Sequence, residues 1–101
     1  MSEHILFLTG RLAEKQLRAI LTKMRPEFDY TVHQIGIKVA ALMTADMIGR
    51  RLTDTFGADR ILVPGRCRGD LDALSAKMGL PIARGPDELK DLPMYFGQAA
   101  H

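Results

Sequence analysis

The run Pro64-Gly65-Arg66-Cys67-Arg68-Gly69-Asp70 holds most of the chemistry that the chain offers. Two guanidinium groups flank a thiol, a glycine stands on each side, and a carboxylate closes the run. Arg presents a planar fork that matches phosphate or carboxylate. Glycine lets backbone approach a ligand closely. A helix starting at Asp70 would add unpaired N–H donors and a positive dipole end. Together these parts describe an anion site. Glycine also marks ordinary turns, and Arg is commonly a solvated surface residue, so a plain loop is the alternative.

The same combination recurs along the chain, in Thr9-Gly10-Arg11, Gly36-Ile37-Lys38 and Arg84-Gly85-Pro86. If each segment leaves the same edge of one sheet, Arg11, Lys38, Arg66, Arg68 and Arg84 gather there. The candidate ligand-binding set is then Gly10, Arg11, Gly65, Arg66, Cys67, Arg68, Gly69, Asp70 and Arg84.

Other chemistry is thin. Cys67 lies between two cations before a helix, a setting that lowers a thiol pKa and could make a nucleophile. An inert small residue in a tight loop is the simpler reading. Asp70 suits the N-cap of its own helix as well as it suits a site. His4, His33 and His101 are scattered, with no Cys–His or His–His pair at ligand spacing, so no metal is expected. Thr44 and Asp46 read as a polar helix face, Met43 and Met47 as packing, and Arg50-Arg51 as a solvated surface. Neither G-x-G-x-x-G nor G-x-x-x-x-G-K-[ST] occurs, which disfavours dinucleotides and ATP; no cofactor is expected. No Ser-His-Asp set in an elbow context and no poised carboxylate pair is visible. The residues describe a binding or accessory domain, with no catalytic residue assigned.

Strands and helices alternate around these segments. Ile5 to Thr9 is a short apolar run of the kind buried on both faces of a parallel sheet. Leu12 to Met24 follows with Leu17, Ile20, Leu21 and Met24 on one stripe, and Pro26 stops it. Asp29 to Ile35 is β-prone. Val39 to Phe56 carries a second helical pattern, capped by Gly57. Arg60 to Val63 is a third strand, Asp70 to Met78 a short helix ending at Gly79, and Leu80 to Ala83 a fourth strand. A helical turn is expected over Asp87 to Lys90. This βαβ periodicity predicts an α/β fold with right-handed crossovers: a small three-layer Rossmann-like or flavodoxin-like sandwich with about four mostly parallel strands.

Composition bounds the rest. A length of 101 residues suits one α/β domain with one modest core. Aromatics make up 6% and Trp is absent, so the core is expected to be aliphatic, with six Met as flexible filler. A formal charge of +2 is too balanced for a general nucleic-acid binder. A single Cys excludes an internal disulfide and points to a reducing cytoplasm. No apolar run approaches the roughly 20 residues of a membrane span, and Met1-Ser2-Glu3-His4 lacks the start of a signal peptide. Nucleic acid and membrane are therefore not expected as partners.

Four segments carry a family resemblance: Ile5 to Ala13, Val39 to Thr44, Pro64 to Leu71, and Gly85-Pro86-Asp87-Glu88-Leu89-Lys90-Asp91-Leu92-Pro93. They resemble the N-terminal domain of dihydropteroate synthase-like proteins, a domain of unknown function in organisms that make tetrahydromethanopterin. The resemblance spans nearly the whole chain, and Pro64 to Asp70 is its most specific part. It implies pterin-cofactor biosynthesis and a neighbouring TIM-barrel domain, in cis or in trans, thought to join a pterin diphosphate to an aminobenzoate-type partner. No barrel lies within residues 1–101, so no catalytic residue transfers. Joined to the anion reading, it implies a domain that holds a phosphorylated intermediate, of pterin or ribosyl-aminobenzoate type, through Arg11, Arg66, Arg68 and Arg84. The alternative is a structural or oligomerisation module that docks through Met, Leu and Met94-Tyr95-Phe96 on the barrel or on a second copy as a homodimer. A third reading is a small enzyme with Cys67 as nucleophile.

Overall fold

The computed structural model describes residues 3–97. Four strands, β1 (His4–Thr9), β2 (Asp29–Gln34), β3 (Arg60–Val63) and β4 (Ile82–Arg84), form one sheet in the order β2-β1-β3-β4. Every pairing is parallel. Ile5 stands opposite Tyr30 on one side and Arg60 on the other, and Val63 stands opposite Arg84.

The helices are α1 (Glu14–Met24), α2 (Ala45–Arg51), α3 (Leu71–Met78) and α4 (Leu92–Tyr95). Side chains alternate across a strand, so β1 feeds two cores. Ile5 and Phe7 join Leu17, Leu21 and Leu92 under α1 and α4. Leu6 and Leu8 join Ile48, Leu71 and Leu74 under α2 and α3. β3 divides likewise, with Leu62 on the first side and Ile61 and Val63 on the second. The result is the expected α/β architecture: helices on both faces of a four-stranded parallel sheet. Among the described residues no helix is long and apolar enough to cross a membrane.

The core is less uniformly aliphatic than the composition suggests. Phe7, Phe28, Tyr30 and Phe96 cluster on the α1 side, with ring centroids between 4.8 and 6.5 Å apart.

The second helix departs most from expectation. In place of one helix over Val39 to Phe56, a 3-10 turn covers Ala40–Leu42 and α2 covers only Ala45–Arg51. Met43 and Thr44 are extended between them, and Thr44 Oγ1 caps α2 by accepting from the Met47 N–H at 3.2 Å. The extended backbone bridges to the β3–α3 loop: the Ala45 N–H donates to Arg68 O at 2.7 Å, and the Arg68 N–H to Met43 O at 3.3 Å. Downstream, Asp54 Oδ1 accepts from the Phe56 N–H at 2.9 Å, a local turn that competes with helix. Leu42, inside the expected helix, is therefore 65% exposed.

Smaller shifts have similar causes. The Arg11 and Leu12 N–H groups donate to Ile37 O and Lys38 O at 2.8 and 3.1 Å, so the first helix begins at Glu14 and not at Leu12. β4 starts two residues after the expected Leu80 and ends one after the expected Ala83, because Ile82 to Arg84 hold the register opposite Ile61 to Val63. The expected turn over Asp87 to Lys90 is a 3-10 turn at Leu89–Asp91 that leads into α4.

Candidate functional site

The chain leaves β1 through α1 to reach β2 on one side of β1, then crosses through α2 to β3 on the other side. The two crossovers lie on opposite faces of the sheet. The carboxyl ends of β1 and β3 thus flank a topological switch point, where open α/β sheets bind ligands. A cleft of about 400 Å³ opens there, within the usual range for small-molecule sites.

Its walls are largely apolar and include Leu12, Leu17, Val39, Leu62, Pro86 and Leu92. The polar and charged residues that line it are Thr9, Gln16, Arg66 and Asp87. Thr9 is only 2% exposed and ends β1. Gln16 lies in the first turn of α1, whose N-terminus no side chain caps. Arg66 and Asp87 are exposed, on the loops after β3 and β4.

Two glycines bring these loops together. A Cβ on Gly65 would lie 2.5 Å from the carbonyl carbon and oxygen of Pro86 and 2.7 Å from Asp87 N. A Cβ on Gly10 would lie 2.7 Å from Ala40 N and 2.9 Å from Ile37 O. The close approach expected of a ligand is made, at both positions, by neighbouring backbone.

The structure divides the expected ligand set. Arg66 lines the cleft. Arg68 lines a separate hollow of about 430 Å³ between α2 and α3, with Asp46, Arg50, Asp70 and Lys77. Arg84 turns onto the β3–α3 loop, where Nε donates to Cys67 O at 2.8 Å and Nη2 to Gly69 O at 3.1 Å. Arg11 and Lys38 line neither cavity. The five cations expected on one edge therefore do not form one cluster.

The remaining loop residues have local roles. The Cys67 N–H donates to Pro64 O at 3.0 Å, so with the Arg68 bridge two loop amides are engaged internally. Cys67 itself is 2% exposed. Burial pushes its thiol pKa up, outweighing the Arg84 guanidinium, which pulls it down. That is opposite to the shift a nucleophilic thiolate needs. Gly69 has φ +110° against Ala45, a conformation that favours glycine. Asp70 Oδ1 accepts from the Ala73 N–H at 3.0 Å and caps α3.

Histidines are used structurally: the His4 ring nitrogen Nε2 lies 2.8 Å from Thr31 Oγ1, and the His33 ring packs 4.9 Å from that of Phe56. His101 lies outside the described residues. Among the described residues no group of three or more His, Cys, Asp or Glu could hold a metal ion.

The candidate ligand set did not include Thr9, Gln16 or Asp87. Asp87 directly follows Arg84-Gly85-Pro86, one residue past the segment that closes the fourth strand. Gln16 is distinguished only by its place in the first turn of α1.

The chain matches a family of unknown function (DUF6513) over residues 3–87 and belongs to it. That span runs from β1 through β4 and includes Thr9, Gln16, Arg66 and Asp87. No curated protein and no solved structure matches the chain.

Proposed function

We propose that this member of the family is a ligand-binding domain that holds a phosphorylated small molecule in the cleft between β1 and β3. The observation that carries the reading is the composition of that cleft: apolar walls at a topological switch point, with Arg66 as the cation that lines it. Arg66 would take the phosphate through its fork, and the apolar walls would cover a ring. The resemblance of Pro64 to Asp70 and Gly85 to Pro93 to dihydropteroate synthase-like proteins supports a ligand of pterin or ribosyl-aminobenzoate type. It also supports a role beside a TIM-barrel domain, in cis or in trans, in making tetrahydromethanopterin. In this role the domain retains or presents the intermediate and carries no bond-making step.

Thermal denaturation with added ligand tests the reading, because a molecule that binds only the folded state raises the melting temperature with concentration. Pterin phosphates and ribosyl-aminobenzoate phosphate are the probes. Stabilisation by one of them that is lost in Arg66→Ala and kept in Arg68→Ala supports the cleft. No stabilisation by any probe removes the proposal.

A second reading has its own observation. Leu12 is 67% and Leu42 65% exposed, with Val39 also exposed between them in sequence. Two of these three, Leu12 and Val39, line the cleft. A docking or oligomerisation module would use such apolar surface. Light scattering on the chain, alone and mixed with a dihydropteroate synthase-like barrel, tests this reading; a strict monomer in both samples counts against it.

A further inference from the structure

We infer that the open edge of β2 is a strand-pairing surface for a second copy of this chain, and that Arg18 holds it closed. The inference is independent of the cleft and of its ligand.

Among the described residues the sheet ends at β2 on one side and at β4 on the other. An edge strand presents unpaired N–H and C=O groups to any strand that can dock on it. β4 limits this by its length of three residues. β2 has six, Asp29 to Gln34, with no Pro or Lys among them to discourage a new pairing. Its ladder with β1 shows which groups lie open. The Asp29 N–H donates to Glu3 O at 2.8 Å and the Ile35 N–H to Thr9 O at 3.3 Å. In a parallel ladder alternate residues of a strand turn their main-chain groups to the same neighbour. Thr31 and His33 therefore face β1 as well, and Tyr30, Val32 and Gln34 point their N–H and C=O groups outward.

Arg18 reaches from α1 to the centre of that row. Its Nη2 donates to Val32 O at 3.2 Å, and its Nε donates to Glu14 Oε2 at 2.9 Å. The guanidinium thus occupies the middle acceptor of the edge. The row is self-complementary in the antiparallel sense. Pairing two copies about Val32 sets Val32 against Val32 and Tyr30 against Gln34, each pair exchanging both N–H···O bonds. Such a contact is isologous and closes at a dimer. With Arg18 in place, the same pairing takes the acceptor away from each guanidinium. It also brings the two like charges together on one face of the joined sheet, which opposes it.

Light scattering over a concentration series, with amide hydrogen exchange on the same samples, tests this on the wild type, Arg18→Ala and Arg18→Lys. Ala is a strong helix former, so α1 is retained. Arg18→Ala should rise with concentration to about twice the wild-type mass. Its Tyr30, Val32 and Gln34 amides should then exchange about tenfold or more slowly than in the wild type, while Leu6 and Leu62 keep wild-type protection and report an intact fold. Arg18→Lys keeps a charge and a donor and should stay at the wild-type mass. Arg18→Ala at the wild-type mass up to its highest soluble concentration overturns the inference. So does association that leaves the three edge amides unprotected, because the contact then lies elsewhere. Lost protection at Leu6 and Leu62 also overturns it, because the chain has then opened. Equal association of the Ala and Lys variants removes the guarding role of the charge and the inference with it.

Discussion

Arg84 Nε donates to the backbone carbonyl of Cys67 at 2.8 Å, and the same guanidinium reaches Gly69 O at 3.1 Å. One side chain at the end of β4 thus fastens the loop that follows β3. The sequence suggested Arg84 as an anion ligand; in the structure two of its guanidinium nitrogens hold the protein's own loop.

Arg84→Ala should therefore lower stability, by about 1–2 kcal/mol for two charge-assisted bonds, one part-buried and one exposed. For a chain of this size each kcal/mol corresponds to about 4–8 °C in melting temperature. Arg84→Lys should recover little, because an ammonium group cannot reproduce the two-carbonyl fork. Calorimetry on both variants checks this; a wild-type melting temperature in Arg84→Ala contradicts it.

Gly65→Ala should be costly for a different reason. Its Cβ would meet Pro86 backbone at 2.5 Å, and backbone yields less easily than a flexible side chain. We expect about 1–3 kcal/mol of destabilisation from this overpacking. Spreading the two loops should also weaken ligand binding. Urea denaturation measures the first effect and titration the second.

Cys67 should be chemically quiet. With 2% exposure and a thiol pKa raised by burial, it should react with a disulfide reagent far more slowly in the native protein than in denaturant. The sign of the pH effect follows. Unfolding releases a thiol that ionises more readily, so the stabilising contribution is complete below the unfolded pKa of about 8.5. It declines as pH rises above that value toward the raised folded pKa. The stability difference between wild type and Cys67→Ala should shrink between pH 7 and about pH 9.5. Rapid native labelling would restore the nucleophile reading.

The fold was largely legible because the apolar runs Ile5 to Thr9 and Arg60 to Val63 fit only central parallel strands, and Leu17, Leu21 and Pro26 bound α1. Positions where the backbone had another partner were not legible. Met43 and Thr44 leave the expected helix, and Thr44 bridges to Arg68, a link between segments more than twenty residues apart. Local periodicity carries no sign of it. The loops that follow the strands pointed to the end of the sheet where the cleft opens. Which cations stay free there depends on tertiary hydrogen bonds, which separate Arg66, on the cleft, from Arg84, on the β3–α3 loop.

The most direct test of the cleft is to map it. Titration of ¹⁵N-labelled protein with 6-hydroxymethylpterin phosphate should move the backbone amide signals of Thr9, Gln16, Arg66, Gly85 and Asp87, all on the cleft between β1 and β3. Those of Arg50, Ala73 and Lys77, on the hollow between α2 and α3, should stay in place. Shifts confined to that second hollow, or none at saturating ligand, would contradict the assignment.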